Sequence, residues 1–265
     1  MKNSSRSQLQ LFKPSKYEQE LSVLEFLSVE SWSSEFNLAD LLQISPRGLG
    51  GVLKPMIINK LIKSVDQKIM GGSVKLLGIT SLGQKKLRLS AYKPSDIEMP
   101  NTELNLQIVN LSRISPTFIP HRLDIQMLKI RAERAGWTNW VNADTGEDRK
   151  KGSSQHLRLA LSNPVLEHRP DAWCTDPSGN RSSIECERTI KSKPRYSEIV
   201  RDYLLALKRG DIDRVLWVSP DQDIRDRLTY LITSITHVQI GAQKLLIPRV
   251  RFERFDYLTF EQWPV

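Results

Sequence analysis

The sequence predicts a mixed α+β protein of two domains: a small helical domain closed by a β-hairpin over residues 17–90, and an α/β domain on a mixed sheet over residues 116–265. Three observations predict this. Apolar residues recur at helical spacing through residues 17–58 and give way to two strand-like runs around a glycine-bearing tip. Residues 91–115 hold Pro94 and Pro100 among mixed polar residues, the composition of a linker. The second half then runs in the order α-β-loop-β-β-α-β-α-β, a mixed α/β sandwich.

Residues 1–15 are polar and carry no helical or strand period. Residues 17–30 place Leu21, Leu24, Phe26 and Leu27 on one buried helical face. A short second helix is expected at Asn37–Gln43. The third opens at Ser45-Pro46, an N-cap followed by proline at the first helical position. Leu49, Val52, Leu53 and Met56 form its core stripe, and Asn59 is expected to end it in a left-handed cap. Gly48, Gly50 and Gly51 weaken this helix, and Pro55 is expected to bend or divide it. A hairpin follows, from Leu61–Val65 through Gly71-Gly72 to Ser73–Leu77. Thr80 or Ser81 can cap a last helix. One strand is expected in the linker at Leu106–Leu111.

In the second domain, the helix of residues 119–136 carries two apolar stripes, Leu123/Met127/Ile130 and Ile125/Leu128/Ala132, and is therefore packed on two sides. His121 and Asp124 stand three apart at its start and share a face. Residues 137–141 read as a strand. Residues 144–155 form a charged loop whose Arg149, Lys150 and Lys151 can meet phosphate. Two short strands then flank the turn Asp176–Asn180, one starting at Pro170-Asp171 and the other carrying Glu185-Cys186-Glu187. Residues 194–209 are helical, with Ile199, Tyr203, Leu204 and Leu207 inward and Gly210 as terminator. The run Arg214–Val218 is a central strand. Ser219-Pro220-Asp221-Gln222 has the spacing of a capping box for the next helix, and residues 250–260 form a final strand region at a sheet edge.

The formal charge of +9 favours nucleic acid or another anionic partner. No apolar run approaches the ~20 residues that cross a bilayer, and the N-terminus has no apolar signal core, so no membrane insertion and a cytoplasmic location are expected. Cys174 and Cys186 belong to no CxxC or Cys/His cluster, which argues for reduced, packed thiols and against zinc.

The chemistry concentrates between Arg169 and Lys193. Alternation along a strand sends Glu185 and Glu187 to one face, and hairpin pairing lets Asp171 join them. Three carboxylates on one face suit a hard cation, Mg²⁺ or Mn²⁺, which can activate water at a scissile phosphate. Arg188, Lys191 and Lys193 beside them suit a polyanionic substrate.

Two resemblances follow from these residues. Residues 17–89 resemble a winged helix-turn-helix throughout, which implies that Arg47 and Lys54 face DNA with Lys68 near the wing tip. The second domain resembles the PD-(D/E)XK nucleases, a restriction-endonuclease-like core, with glutamate (Glu187) at the usual lysine position, so that Lys191 or Lys193 takes the lysine's role or the site is altered. The order His121-x-x-Asp124, Pro170-Asp171-Ala172, Glu185-x-Glu187-Arg188 and a tyrosine-bearing helix further resembles the replication-relaxation family, which includes MobC-type relaxases of mobilizable plasmids. That resemblance implies a strand-specific cut at a plasmid origin of transfer, a metal on Asp171, Glu185 and Glu187, and His121 and Asp124 near it. Accessory mobilization and coupling proteins are the implied partners. Relaxases often attack with tyrosine. Tyr196, Tyr203 and Tyr230 are present, but a packing role is expected for each and metal-bound water is the expected nucleophile. Two other readings fit the same residues: a non-catalytic replication initiator or regulator, and a restriction-type endonuclease that cuts both strands.

Overall fold

The computed structural model describes residues 14–91, 108–142 and 168–264. It is a mixed α+β structure that divides into two compact units, Met1–Thr117 and Phe118–Val265.

The first unit begins with α1 (Lys16–Glu30), opened by a capping box in which Ser15 and Glu18 satisfy each other's backbone N–H groups. A short strand, β1 (Trp32–Ser34), leads into α2 (Glu35–Leu42). Next, α3 (Pro46–Ile58) starts at the Ser45 cap and buries Leu49, Val52, Leu53 and Met56, the stripe its sequence predicts. Two expectations about α3 are corrected. Pro55 does not divide it: the helix runs through to Ile58, with Pro55 exposed in the last turn, where the carbonyl it leaves unpaired can meet water. Asn59 is not left-handed, with φ −77°; the positive φ falls one residue later, at Lys60.

Strands β2 (Ile62–Ile69) and β3 (Gly72–Ile79) pair antiparallel along their full length, with β1 on the far edge of β3. Met70 and Gly71 make the two-residue tip, and Gly71 has φ +90°, a conformation glycine adopts without strain. The unit ends in α4 (Ser81–Ala91), whose first turn is capped by Thr80 accepting from the Gly83 N–H at 3.1 Å. The strand expected at Leu106–Leu111 is absent from its described part. Leu111 instead opens a 3-10 turn (Leu111–Arg113), is buried, and accepts from the Gln67 side chain at 2.8 Å. Its apolar side chain is packed into the first unit rather than left in an extended linker.

The second unit is a five-stranded sheet in the order β10-β7-β6-β5-β4, between helices. It comprises α5 (Ile119–Arg134), β4 (Thr138–Asn142), β5 (Ala172–Thr175), β6 (Arg181–Cys186), α6 (Lys193–Arg209), β7 (Arg214–Ser219), α7 (Gln222–Thr233), β8 (His237–Ile240), β9 (Gln243–Leu246) and β10 (Phe255–Thr259). Strands β4, β5 and β6 are antiparallel, whereas β6, β7 and β10 run parallel. The central strand β7 buries Val215, Leu216, Trp217 and Val218 on both faces, which is why it reads as a continuous apolar run. Val215 and Trp217 meet α6 and α7, with Tyr203, Leu228 and Ile232. Leu216 and Val218 meet α5, with Ile125, Leu128 and Ala132. Burying each such side chain stabilises the fold by roughly 1.5–3 kcal/mol.

The cap of α7 is also corrected. Asp221, not Ser219, accepts from the Ile224 N–H, at 2.9 Å; Ser219 is the last residue of β7 and fully buried. The last sequence segment splits, with Arg249–Arg254 in a 3-10 turn and β10 pairing parallel to β7 at the sheet edge.

Candidate functional site: an acidic cluster at one end of the mixed sheet

The β5–β6 register sets Ala172 opposite Ile184, and the Asp171 N–H continues the ladder by donating to the Ile184 carbonyl at 3.0 Å. Asp171 is thereby placed against Glu185. Glu187 lies one residue beyond β6, yet its N–H donates to Val218 O at 2.9 Å and prolongs the parallel ladder with β7. The hairpin thus brings all three carboxylates to one end of the sheet.

Each carboxylate has its own partners. Asp171 Oδ1 lies 3.0 Å from His121 Nε2, and Asp171 Oδ2 accepts from the Cys186 N–H at 2.8 Å. Glu185 Oε1 lies 2.6 Å from His168 Nε2 and also accepts from the Tyr203 hydroxyl. Glu187 Oε2 accepts from Lys191 Nζ at 2.6 Å and from Tyr196 OH at 3.0 Å. Helix α6 supplies both tyrosines, seven residues apart and so on one face, and this single face holds both glutamates. Asp124, one turn along α5 from His121, accepts from the Arg188 guanidinium.

The cluster is graded from closed to open. Glu185 and Glu187 are buried, while Asp171, His121, Lys191 and Arg188 are partly exposed. Burial raises the Glu185 pKa, with the nearby Asp171 charge adding to it against the His168 and Tyr203 hydrogen bonds. Burial likewise raises the Asp124 pKa, against the pull of Arg188. For His121, burial opposes the charged form, but the hydrogen bond and charge of Asp171, with Asp124 behind, outweigh it and the pKa is raised. Tyr196 and Tyr203 are pushed up, first by burial and then by the glutamates they serve.

Asp171, Glu185 and Glu187 carry the oxygen donors that a hard cation takes. The donors have the right chemistry, but each carboxylate is committed to separate partners. Among the described residues no group of three or more His, Cys, Asp or Glu side chains gathers so as to hold a metal ion. The partners come from several elements: His121 on α5, Tyr196 and Tyr203 on α6, the Cys186 N–H on β6, and His168 and Lys191 from the segments between.

The alternative lysines are separated. Lys191 reaches the cluster, whereas Lys193 Nζ donates to Ser234 O at 3.0 Å, at the end of α7. Tyr196 and Tyr203 are both fully buried and donate to carboxylates, so their sequence-predicted packing role carries a second, polar one. Tyr230 is exposed on α7. Cys174 and Cys186 are free, buried thiols. In the first unit Arg47 and Lys54 are exposed on α3, and Lys68 lies two residues before the hairpin tip. Arg149, Lys150 and Lys151 lie outside the described residues.

Two residues of the cluster carry no motif in the sequence: His168, and Asp202, which accepts from the His168 N–H at 2.7 Å. The only signal for His168 was its position two residues ahead of Pro170-Asp171. Asp202 had none beyond adjacency to Tyr203.

No protein-family model matches this chain, and no curated protein matches it. Among solved structures, a mutant of Lactococcus lactis ZitR in apo form is similar at 25% identity over 29% of this chain, with a TM-score of 0.25. The match spans 56% of the ZitR chain. A likeness of that extent leaves fold and function to be argued from the chain itself. No described helix is long and apolar enough to cross a membrane.

Proposed function

We propose that this chain binds DNA through a winged helix-turn-helix in its first unit and cleaves it with a PD-(D/E)XK-like core in its second, as a nickase of the MobC-type relaxase kind acting at a plasmid origin of transfer. The observation that carries the reading is Lys191. The motif lysine position holds Glu187, and that glutamate accepts a hydrogen bond from the ammonium of Lys191, four residues on. A cation therefore stands at the acidic cluster although the motif's own position has none. The element order helix, short strand, two helices, hairpin and helix supports the winged-helix part.

In this reading Lys191 and Arg188 meet the scissile phosphate and stabilise the charge that develops on it. His121, held by Asp171, stands at the open side of the cluster as the proton carrier for an attacking water. Glu187 and Tyr196 hold Lys191, and Glu185 with His168 and Tyr203 forms the closed floor. The tyrosines are bound as donors and buried, which favours water over a tyrosine nucleophile.

A second reading has a specific observation behind it. The position that the nuclease motif gives to lysine holds Glu187, which favours a non-catalytic replication initiator or regulator. The test is a supercoiled-plasmid assay on DNA encoded beside the gene, with Mg²⁺, with Mn²⁺ and with chelator, for wild type and Glu185→Ala. An open circle cut at one strand position and lost in the variant supports the nickase. A linear product moves the assignment to a restriction-type endonuclease. Specific binding without a cut, with accessory mobilization proteins supplied, moves it to the initiator or regulator.

A further inference from the structure

The outward face of α3 is poor in groups that read base edges. Its buried stripe leaves Arg47, Gly48, Gly50, Gly51, Lys54 and Pro55 exposed. Arg47 and Lys54 are its two long polar side chains there, seven residues apart on one face. Between them Gly50 and Gly51 present bare backbone, with nothing within 4 Å of where a Cβ would stand. Such a helix can anchor to phosphates at two points, but it offers little direct discrimination among bases.

The β2–β3 hairpin has the opposite character. Its ladder is unbroken from Ile62↔Ile79 to Ile69↔Gly72. Its base is anchored in the core through Ile62, Leu76, Leu77 and Ile79, and Gln67 ties it further to the Leu111 carbonyl; the outer half carries no buried residue on either strand. At its end Met70 is 99% exposed, an unbranched apolar side chain held at the apex of a two-residue turn. Lys63 and Lys68, on the same arm, have no acidic partner among the described residues, which gives the arm the charge that a polyanion complements.

We propose that Met70 is an apolar wedge that enters a base step of duplex DNA, so that the first unit reads the deformability of its site more than the hydrogen-bond pattern of the bases. This rests on the winged-helix reading above. Phosphate contacts from Arg47, Lys54 and Lys68 set the register, and the thioether partly unstacks one flexible step and kinks the duplex.

The experiment uses the full chain and a duplex that wild type enriches from a random-sequence pool. That duplex is then scanned with 2-aminopurine and its bend measured by gel phasing. Wild type is expected to raise 2-aminopurine fluorescence at one step and to bend the duplex by at least about 20°. Met70→Ala should abolish both and weaken binding about tenfold; Met70 touches nothing in the fold, so the variant folds as wild type. If Met70→Ala keeps the fluorescence rise and the bend, or if wild type produces neither, the wedge is overturned. Paired Arg47→Ala and Lys54→Ala substitutions separate the two layers. Loss of the duplex in these, with Met70→Ala behaving as wild type, rejects the wedge and keeps the DNA reading. If wild type enriches no duplex at all, both fall.

Discussion

Lys191 is held by Glu187: its ammonium donates to Glu187 Oε2 at 2.6 Å, and the same oxygen accepts from Tyr196 OH at 3.0 Å. Lys193, two residues on, turns away to the carbonyl of Ser234. The two lysines should therefore separate by function. Lys191→Ala is expected to lower the nicking rate by ~10²-fold, the usual scale for losing one preorganised donor at developing charge. Lys193→Ala should stay near wild type. Rates on supercoiled plasmid decide it, and equal losses in the two variants would reject the assignment of Lys191.

Tyr203→Phe removes one of two partners of a buried carboxylate oxygen while keeping the ring packing against Trp217 and Phe255. The expected cost is about 1–3 kcal/mol, the penalty for leaving a buried polar group short of a partner. Urea denaturation should show it as a lower midpoint at unchanged slope. In the same view wild type forms no covalent tyrosyl–DNA adduct, and an adduct that survives denaturant would return Tyr196 or Tyr203 to the role of nucleophile.

His121 gives the fold a pH signature. Its pKa is raised in the folded chain, with burial opposing and Asp171 and Asp124 prevailing. A histidine so raised adds stability that is fully present below the unfolded value of about 6.5 and is lost as pH rises through the higher folded value. The stability gap between wild type and His121→Asn should therefore be widest at mildly acid pH and should narrow on the alkaline side. A gap that widens with pH would mean that the Asp171 pairing does not govern His121.

The glycines of the first unit should respond in opposite senses. Gly50→Ala and Gly51→Ala place a methyl in open space on a helix, and each should stabilise by roughly 0.5–1 kcal/mol. Gly83→Ala instead drives a methyl into the backbone carbonyl of Leu61, with Ile79 and Leu24 close behind, and should destabilise by about 1–3 kcal/mol. Thermal unfolding of the three variants checks both signs at once.

Much of the frame was legible because it repeats a period. The buried stripe of α3 and the doubly buried β7 follow from spacing and from an unbroken apolar run. Alternation and hairpin pairing also put Asp171, Glu185 and Glu187 together, as carboxylates on one face of the sheet. What they bond to was not legible. The partners of Glu185 and Glu187 depend on how α6 packs across the sheet, and no local pattern encodes that distance. Strand β1 has three residues, too few to show alternation. Ser219 had the spacing of a cap, but the strand claimed it because its backbone already served the β7 ladder, and the cap fell to Asp221. Leu111 read as an extended linker residue because its partner Gln67 lies 44 positions away.

The cluster is unevenly distributed along the chain. His168, Asp171, Glu185, Glu187, Lys191, Tyr196 and Tyr203 all fall within one stretch, and their mutual bonds span at most 18 positions. Only His121 and Asp124 come from far upstream, reaching Asp171 and Arg188 across 50 and 64 positions. Short loops close at low entropic cost and long ones at higher cost. As the chain folds, the hairpin and α6 can therefore settle their acidic floor early, and the side that carries the titrating histidine is completed only when α5 docks.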